Sequence, residues 1–245
     1  MISKSKVTVI STFAKDKLLD EKGEIASEQK GGPAYFITNV LKKESVLFDL
    51  KTSKEITVEL LLKDGDEFGR IPEKITPMLI DFSKIKTPEM LISFVANQCK
   101  LESLQLYKGR VFLDIQGYVR NGSNFGKKKF WSVSKKISNN IFGLKAADYE
   151  LKFIPKSIVE KQKKKLLIVT KGELGVEVYW VSERYLLRPK TIIKAKNTIG
   201  AGDTFFAYFV SRFTKTNNVK NSCSYALEKT SEFLTSKVSH HTNPF

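Results

Sequence analysis

The sequence predicts an α/β fold with a mostly parallel central β-sheet flanked by helices, and a smaller β-rich element attached to it. Strand-like and helix-like segments alternate in the second half of the chain, a buried strand opens the first half, and β-rich sequence fills residues 13–62. The 245 residues contain no internal repeat or low-complexity linker. We therefore expect a single domain over 1–245, with lid elements within about 13–62.

The first half is predicted to begin with a buried strand at 6–12, KVTVIST, followed by polar, hairpin-like sequence. Gly31-Gly32-Pro33 then precedes an amphipathic stretch at 34–42, and proline near the start favours a helix there. The remaining segments of this half are predicted as two paired strands at 45–50 and 55–62, a turn at 64–69 and a helix at 87–101.

The second half alternates between the two kinds of element. Predicted strands lie at 109–117, at 165–172, in a hairpin through 176–181, and at 191–195, and predicted helices lie at 201–213 and 219–238. Asp114 falls near the carboxyl end of its strand, and open α/β sheets bind ligands at that edge.

The net charge of +16 raises the question of nucleic-acid binding, but the cations argue for a solvated surface instead. There are 36 lysines and only six arginines, and most are dispersed along the chain. Direct base readout depends on the planar guanidinium of arginine. We expect no specific nucleic-acid partner, although a basic field would attract an anionic substrate.

Membrane insertion and secretion are not expected either. No apolar run approaches the roughly 20 residues of a membrane helix, and the start lacks the apolar region of a signal peptide. Cys99 and Cys223 are far apart, without metal-ligand spacing, and are expected to be reduced thiols in a cytoplasmic protein; a disulfide between them remains the alternative.

The stretch NTIGAGDTFFAYF, residues 197–209, places small residues where a helix is predicted to begin. Free N–H groups at a helix start point outward, and the helix dipole adds partial positive charge there. Glycine lets a ligand approach the backbone closely. Gly200, Ala201 and Gly202 could therefore form an anion hole for a phosphoryl group.

Asp203 has two interpretations at this position. A carboxylate beside bound phosphate repels it, unless the carboxylate acts as a general base on a hydroxyl that attacks the phosphorus. The alternative is that Asp203 only caps the helix above a tight glycine turn. Spacing alone does not decide between them.

The motif resembles the G-A-G-D signature of the ribokinase-like (PfkB) carbohydrate kinases, and further resemblances follow in the family's order along nearly the whole chain. The variants are most similar to archaeal sugar kinases and inositol kinases of the superfamily. The other matching stretches are Asp16 after the first strand, GGPAYF (31–36), LDIQGYVR (113–120), LKAADYE (144–150) and VTKGELG (169–175).

The resemblance implies a ribokinase-like central sheet with a small β-sheet lid, and an ATP- and Mg²⁺-dependent kinase acting on a hydroxyl of a sugar or polyol. Asp203 would be the catalytic base beside the anion hole, and Glu150 would help to hold Mg²⁺ through water. Thr170, Lys171, Gly172 and Gly175 would contact ATP. The substrate-binding residues would be Asp16, Gly31, Gly32, Gln116 and Arg120, with a surface ion pair as the alternative role of Arg120.

Several positions depart from the family's pattern. Phe36 replaces an asparagine after the diglycine, and Ala147 replaces the asparagine of the N-x-x-E motif. Asn197 stands where many members have aspartate near a monovalent-cation site, which leaves a dependence on such an ion open. Myo-inositol or a related sugar is the first expected acceptor and a nucleoside the second. A non-catalytic binding protein of the same fold is the remaining alternative, and a homodimer through the lid is possible.

Overall fold

The computed structural model describes residues 6–63 and 66–239, and its centre is an eight-stranded sheet. Its strands are β1 (Lys6–Ser11), β4 (Leu47–Thr52), β7 (Glu89–Ser93), β8 (Arg110–Asp114), β9 (Ile141–Ala147), β10 (Leu166–Thr170), β11 (Val176–Trp180) and β12 (Glu183–Leu187). Their spatial order is β12-β11-β10-β9-β8-β7-β1-β4.

Most of this sheet is parallel. Every neighbouring pair from β10 to β4 is parallel, and the hairpin of β11 and β12 adds two antiparallel strands at one edge. Strands covered by helices on both faces have no polar side, which explains the continuous apolar runs in the sequence. The predicted α/β class with a mostly parallel central sheet is confirmed.

The prediction of a helix at 87–101 is wrong. Residues Glu89–Ser93 form β7, all five of which are buried, and irregular structure follows. Met90 and Ile92 pack in one apolar cluster, and Leu91 packs in the cluster on the opposite face. A short run of apolar residues shows neither the alternation of a half-buried strand nor the spacing of an amphipathic helix. Its sequence pattern therefore cannot distinguish a buried strand from a buried helix.

Helices cover both faces of the central sheet. They are α1 (Gly32–Lys43), α2 (Gln116–Val119), α3 (Lys135–Asn140), α4 (Lys156–Lys163), α5 (Ala201–Thr216) and α6 (Val219–Ser239). Helices α1, α5 and α6 share one apolar cluster with the sheet, and α3 and α4 belong to the cluster on the other face. The predicted helices at 34–42, 201–213 and 219–238 are confirmed with small changes at their ends.

A second, four-stranded sheet forms the lid. Its strands are β2 (Ala14–Leu19), β3 (Ile25–Gly31), β5 (Ile56–Lys63) and β6 (Asp66–Arg70). They lie in the order β3-β2-β5-β6, with β2 and β5 parallel and the outer pairs antiparallel. The fourth strand extends the lid beyond the range 13–62 expected from the sequence.

Three local predictions in and around the lid are wrong. The segments at 45–50 and 55–62 do not pair with each other, because β4 pairs with β1 in the central sheet and β5 pairs with β2 in the lid. Residues 66–69 are strand rather than turn, while 64–65 lie outside the described residues. Residues 191–195 form no strand, since β12 already takes that edge of the sheet.

Both cysteines are free and buried. Burial raises the pKa of the Cys99 thiol to about 12 and that of Cys223 well above its usual value. The alternative of a disulfide between them is therefore wrong. Among the described residues, no helix has the length and apolar character needed to span a membrane.

Candidate active site

The turn before α5 brings the GAGD residues to the carboxyl edge of the central sheet. Gly200 adopts a left-handed conformation, with φ of 80°, and a Cβ atom there would lie 2.3 Å from Cζ of Phe36. Glycine is required for both reasons. The N–H groups of the following residues belong to the first turn of α5, where no acceptor exists within the helix. The N–H of Ala201 donates to the backbone oxygen of Thr198 over 3.0 Å, so the N–H groups of Gly202 and Asp203 are the ones available to an anion.

Asp203 lies in this first turn without capping the helix. Gly200 is the capping residue, and no side chain closes the helix start. The carboxylate instead lines a cleft and accepts a hydrogen bond from Oγ of Ser93, at the end of β7, over 3.0 Å. The capping alternative is therefore wrong for the side chain of Asp203.

The environment of Asp203 raises its pKa to about 7. Burial is the largest cause, and the nearby carboxylate of Asp114 acts in the same direction. The ammonium of Lys145 and the hydroxyl of Ser93 lower the pKa but do not cancel the rise. A carboxyl group that titrates near neutral pH is suited to accept a proton from a hydroxyl.

A buried ion pair, which was not predicted from the sequence, lies beneath this turn. Lys145 Nζ in β9 donates to Oδ2 of Asp114, at the end of β8, over 2.6 Å, and both side chains are at most 5% exposed. Burial lowers the pKa of Lys145, but Asp114, Asp203 and Glu150 raise it more, so the ammonium stays charged. A Cβ at Gly202 would lie 3.2 Å from Nζ, so this charge is adjacent to the helix start.

The cleft in front of Asp203 lies between the lid and the central sheet and encloses about 540 Å³, including its open mouth. Its lining residues are Asp16, Gly32, Pro33, Phe36, Val58, Leu60, Glu67, Val95, Gln116, Arg120, Phe125, Thr198, Ile199, Gly200, Gly202 and Asp203. Residues from the lid, from α1, from the segments after β7 and β8 and from the GAGD turn therefore meet at one cavity, with the GAGD turn at its inner end.

Asp16 projects from lid strand β2 into this cleft and is 2% exposed. Burial raises its pKa to about 6, the amide of Gln29 lowers it, and Glu67 raises it. Its Oδ2 atom has no hydrogen-bond partner among the described residues. Gly31 makes room for the carboxylate, because a Cβ there would lie 1.9 Å from that oxygen. Gly31 itself is not a lining residue.

Arg120 and Gln116 follow β8 and reach the same cleft. Arg120 is buried, its Nη2 lies 3.3 Å from Oε2 of Glu67, and its guanidinium lies 4.5 Å from the ring centroid of Phe125. With its amide oriented to satisfy both neighbours, Gln116 accepts a hydrogen bond from Nη1 of Arg120 over 3.0 Å. The alternative of a surface ion pair is wrong, because the Arg120 side chain is 8% exposed and lines the cleft, although its partner Glu67 is 28% exposed.

The residues predicted to contact ATP lie on a separate loop after β10. Thr170 ends that strand, a short 3-10 helix covers Gly172–Leu174, and Gly175 ends it. Lys171 Nζ lies 2.6 Å from Oε2 of Glu177, whose pKa is lowered to about 2 by hydrogen bonds from Lys171, Tyr179 and Arg184 despite partial burial. Thr170, Lys171, Gly172 and Gly175 do not line the cleft.

Glu150 is 2% exposed and lies behind the ion pair. Its Oε2 accepts a hydrogen bond from the backbone N–H of Ala147 over 2.7 Å. Burial and the charge of Asp114 raise its pKa to about 6, and Lys145 lowers it. Among the described residues, no group of three or more histidine, cysteine or acidic side chains is arranged to hold a metal ion.

Comparisons with known proteins agree with this geometry. A model of the pfkB family carbohydrate kinases matches residues 140–241. The probable fructokinase-5 of Arabidopsis thaliana is 28% identical over 214 residues, which cover 76% of this chain. The match spans 65% of that relative's length, slightly less than two thirds.

Solved structures with the same fold cover nearly the whole chain. A pyrophosphate-dependent kinase in the ribokinase family, complexed with a pyrophosphate analogue and myo-inositol, aligns with a TM-score of 0.73 at 15% identity, over 94% of this chain and 95% of its own. The nucleoside kinase of Methanocaldococcus jannaschii aligns at 0.67 and 17% identity, over 95% and 92%. Ribokinase of Arabidopsis thaliana, complexed with ribose and ATP, aligns at 0.68 and 15%, over 94% and 93%.

Proposed function

We propose that this chain is a kinase of the ribokinase-like (PfkB) type that transfers a phosphoryl group to a hydroxyl of a sugar or polyol. The family model over 140–241, the fructokinase relative and the fold support the family resemblance found in the motifs. The position of Asp203 supports the activity most directly. Its carboxylate lines the cleft, beside the free N–H groups of the α5 start, and titrates near neutral pH.

The chemistry assigned to the site is an in-line displacement. Asp203 accepts the proton of the acceptor hydroxyl, the hydroxyl oxygen forms a bond to the terminal phosphorus, and the bond from that phosphorus to the rest of the donor breaks. The N–H groups of Gly202 and Asp203 hold the transferring group at the positive end of the helix dipole, since the N–H of Ala201 is already bonded to Thr198. Lys145, next to Gly202, adds a fixed positive charge on the same side.

Mg²⁺ belongs to this proposal through the family resemblance, and the residues present are compatible with it. Mg²⁺ keeps most of its waters and takes one or two carboxylates together with substrate phosphates, so a cage of protein ligands is not needed. Glu150 uses one carboxylate oxygen for Ala147 and retains the other. When bound, the ion would supply positive charge to screen the donor phosphates.

The walls of the cleft support a polyhydroxy acceptor. Asp16 offers a carboxylate oxygen without a partner, and a carboxylate can accept hydrogen bonds from two adjacent hydroxyls. Val58, the strand partner of Asp16 in β5, supplies apolar contacts beside it together with Phe36 and Leu60. Arg120 is held by Glu67 and lies close enough to contact an anionic group on the acceptor.

A direct assay distinguishes the acceptor and donor classes. Polyols, hexoses and nucleosides are tested for phosphorylation with Mg²⁺ and either ATP or pyrophosphate as donor. We expect transfer to a sugar or polyol with ATP. Preferential transfer to nucleosides would identify the alternative acceptor, and preferential use of pyrophosphate would revise the donor. Ligand binding without transfer to any acceptor would support the non-catalytic alternative and contradict the proposal.

The rate should depend on pH through Asp203. The base works only when ionised, so kcat/KM is expected to fall as the pH drops below about 7, the raised pKa of this carboxyl group. In Asp114→Asn, the neighbouring negative charge that raises the pKa of Asp203 is lost, so the acid limb of the pH profile should move to lower pH. The check is to measure kcat/KM of both proteins over roughly pH 5–9, the span where such a shift is resolved. If the acid limb lies at the same pH in both, the assignment of Asp203 as the base is contradicted.

Substrate binding by Asp16 is tested with Asp16→Asn. The amide cannot accept as strongly from hydroxyls as the carboxylate does, so kcat/KM for the acceptor should fall about 10- to 100-fold, mostly through KM. Glu28→Gln serves as the control, because Glu28 lies on the same lid sheet but faces solvent in an ion pair with Lys15. If the two variants have the same kcat/KM for the acceptor, Asp16 does not bind the acceptor.

A further inference from the structure

The turn that begins the anion hole is held by a lysine from the last helix. Lys237, on α6, donates from Nζ to the backbone oxygen of Ile199 over 2.7 Å and to Oδ1 of Asn197 over 3.1 Å. Asn197 Oδ1 also accepts from the N–H of Ile199 over 3.1 Å. The ammonium is thus bound to the two residues that lead into Gly200.

Two aromatic rings complete the surroundings of this ammonium. Nζ lies 5.0 Å from the ring centroid of Phe233 and 5.7 Å from that of Phe36. Neutral oxygen atoms and ring faces are the environment in which a monovalent cation is stabilised without a partner carboxylate. Burial opposes the charge and lowers the pKa of Lys237 to about 8, while Asp16 and Glu67 raise it, so the side chain is mostly protonated at pH 7.

The same contacts connect the lid to the turn. Asn197 Nδ2 donates to Oε1 of Gln29 in lid strand β3 over 3.1 Å, and the amide of Gln29 lies beside Asp16. Phe36 touches both ends of this arrangement, because it lies under Gly200 and beside Lys237. The acceptor side of the cleft and the helix start therefore share one set of contacts, centred on the ammonium.

We propose that Lys237 is a positioning residue that acts as a fixed monovalent cation, holding the turn at 198–200 so that the N–H groups of α5 and Asp203 face the same point in the cleft. The expected effect of Lys237 on turnover rests on the proposed kinase function. Its effect on the order of the turn can be measured even if the protein has no kinase activity. A free cation is then not needed at this position, because the chain supplies the charge.

The test compares Lys237→Met with Lys229→Met. Lys229 lies on the same helix, pairs with Glu232 and faces the ring of Tyr225, but does not contact the turn. Lys237→Met should lower kcat about tenfold or more with little change in the acceptor KM, because misplacing a transition-state contact by about 1 Å costs up to 100-fold. Hydrogen exchange of the amides at 198–203 should become faster only in this variant.

Added cations provide the specific readout. In Lys237→Ala, ammonium or methylammonium ions can enter the vacated space, and they should restore part of kcat and slow the exchange of the turn. Tetramethylammonium, which donates no hydrogen bond, should do neither. The proposal is overturned if Lys237→Met keeps the wild-type kcat and the wild-type rate of amide exchange. It is also overturned if no added cation restores the kcat that Lys237→Ala has lost. If the wild-type protein transfers no phosphate, the kinase proposal fails, and the exchange measurements alone decide the role of Lys237.

Discussion

Asp203→Asn is expected to lower kcat by about 10²- to 10⁴-fold, the range for loss of a general base, while binding of donor and acceptor persists. Asparagine keeps the size of the side chain and can still accept from Ser93 over the same contact. Only the ability to take a proton from the acceptor hydroxyl is lost. Single-turnover phosphoryl transfer, measured with saturating donor and acceptor, checks this directly.

The same substitution is expected to stabilise the fold. The pKa of Asp203 is about 7 in the folded protein, against 3.8 for an unperturbed aspartate, so the ionised form is disfavoured by folding. This penalty is absent below about pH 4, increases with rising pH and is complete above about pH 7. At pH 8, Asp203→Asn should gain about 2 kcal/mol in free energy of unfolding, or about 5 °C in Tm.

Asp49→Asn is the matched control for both readouts. Asp49 is an exposed carboxylate on β4, ion-paired with Lys6, outside the cleft. Its loss should change neither kcat nor the pH dependence of stability. Near wild-type turnover in Asp203→Asn would show that another group takes the proton. A Tm that is unchanged at pH 8 would show that Asp203 is not desolvated.

Lys145→Met is expected to destabilise the protein by about 3–5 kcal/mol, because it leaves the buried carboxylate of Asp114 without its counterion. Thermal or urea unfolding at pH 8 checks this. For a domain of this size the loss corresponds to a fall in Tm of about 10 °C. Turnover should fall as well, since the pKa of Asp203 rises when the positive charge is removed.

The double variant Lys145→Met, Asp114→Leu separates the two effects. Replacing a complete buried ion pair by apolar side chains of similar volume is often neutral or stabilising, so stability should return to near the wild-type value. Turnover should stay low, because the positive charge next to Gly202 is still missing. Recovery of turnover together with stability would show that the pair is only structural.

The inner end of the cleft was predictable because it is local in sequence. Gly200, Gly202 and Asp203 lie within four residues, and the physics of a helix start explains why they act together. Asp16, Gln116 and Arg120 were placed through the family resemblance, and the structure brings all three to the same cavity. Their catalytic and binding roles stay predictions until the variants are measured.

The supporting charges were missed because they depend on distant parts of the chain. Lys145 is an isolated cation in the apolar strand FGLKAA, a signal that a partner must be buried with it, but the sequence does not say which carboxylate that is. Lys237 is 40 residues from Asn197, and nothing in the polar surface of α6 distinguishes it from its neighbouring lysines. Glu67 lies in a segment interpreted as a turn.

The chain crosses between the two sheets four times, and three of the crossings are short while the fourth runs through 71–88. It passes from β1 to β2 through 12–13, from β3 directly into α1, from β4 to β5 through 53–55, and out of β6 at Arg70. Because the chain joins the lid to the rest of the protein at four points, we expect the four lid strands to move together rather than one at a time. Such a movement would displace Asp16, which lines the cleft and packs against Gly31 at the end of the lid, and would change the width of the cleft there.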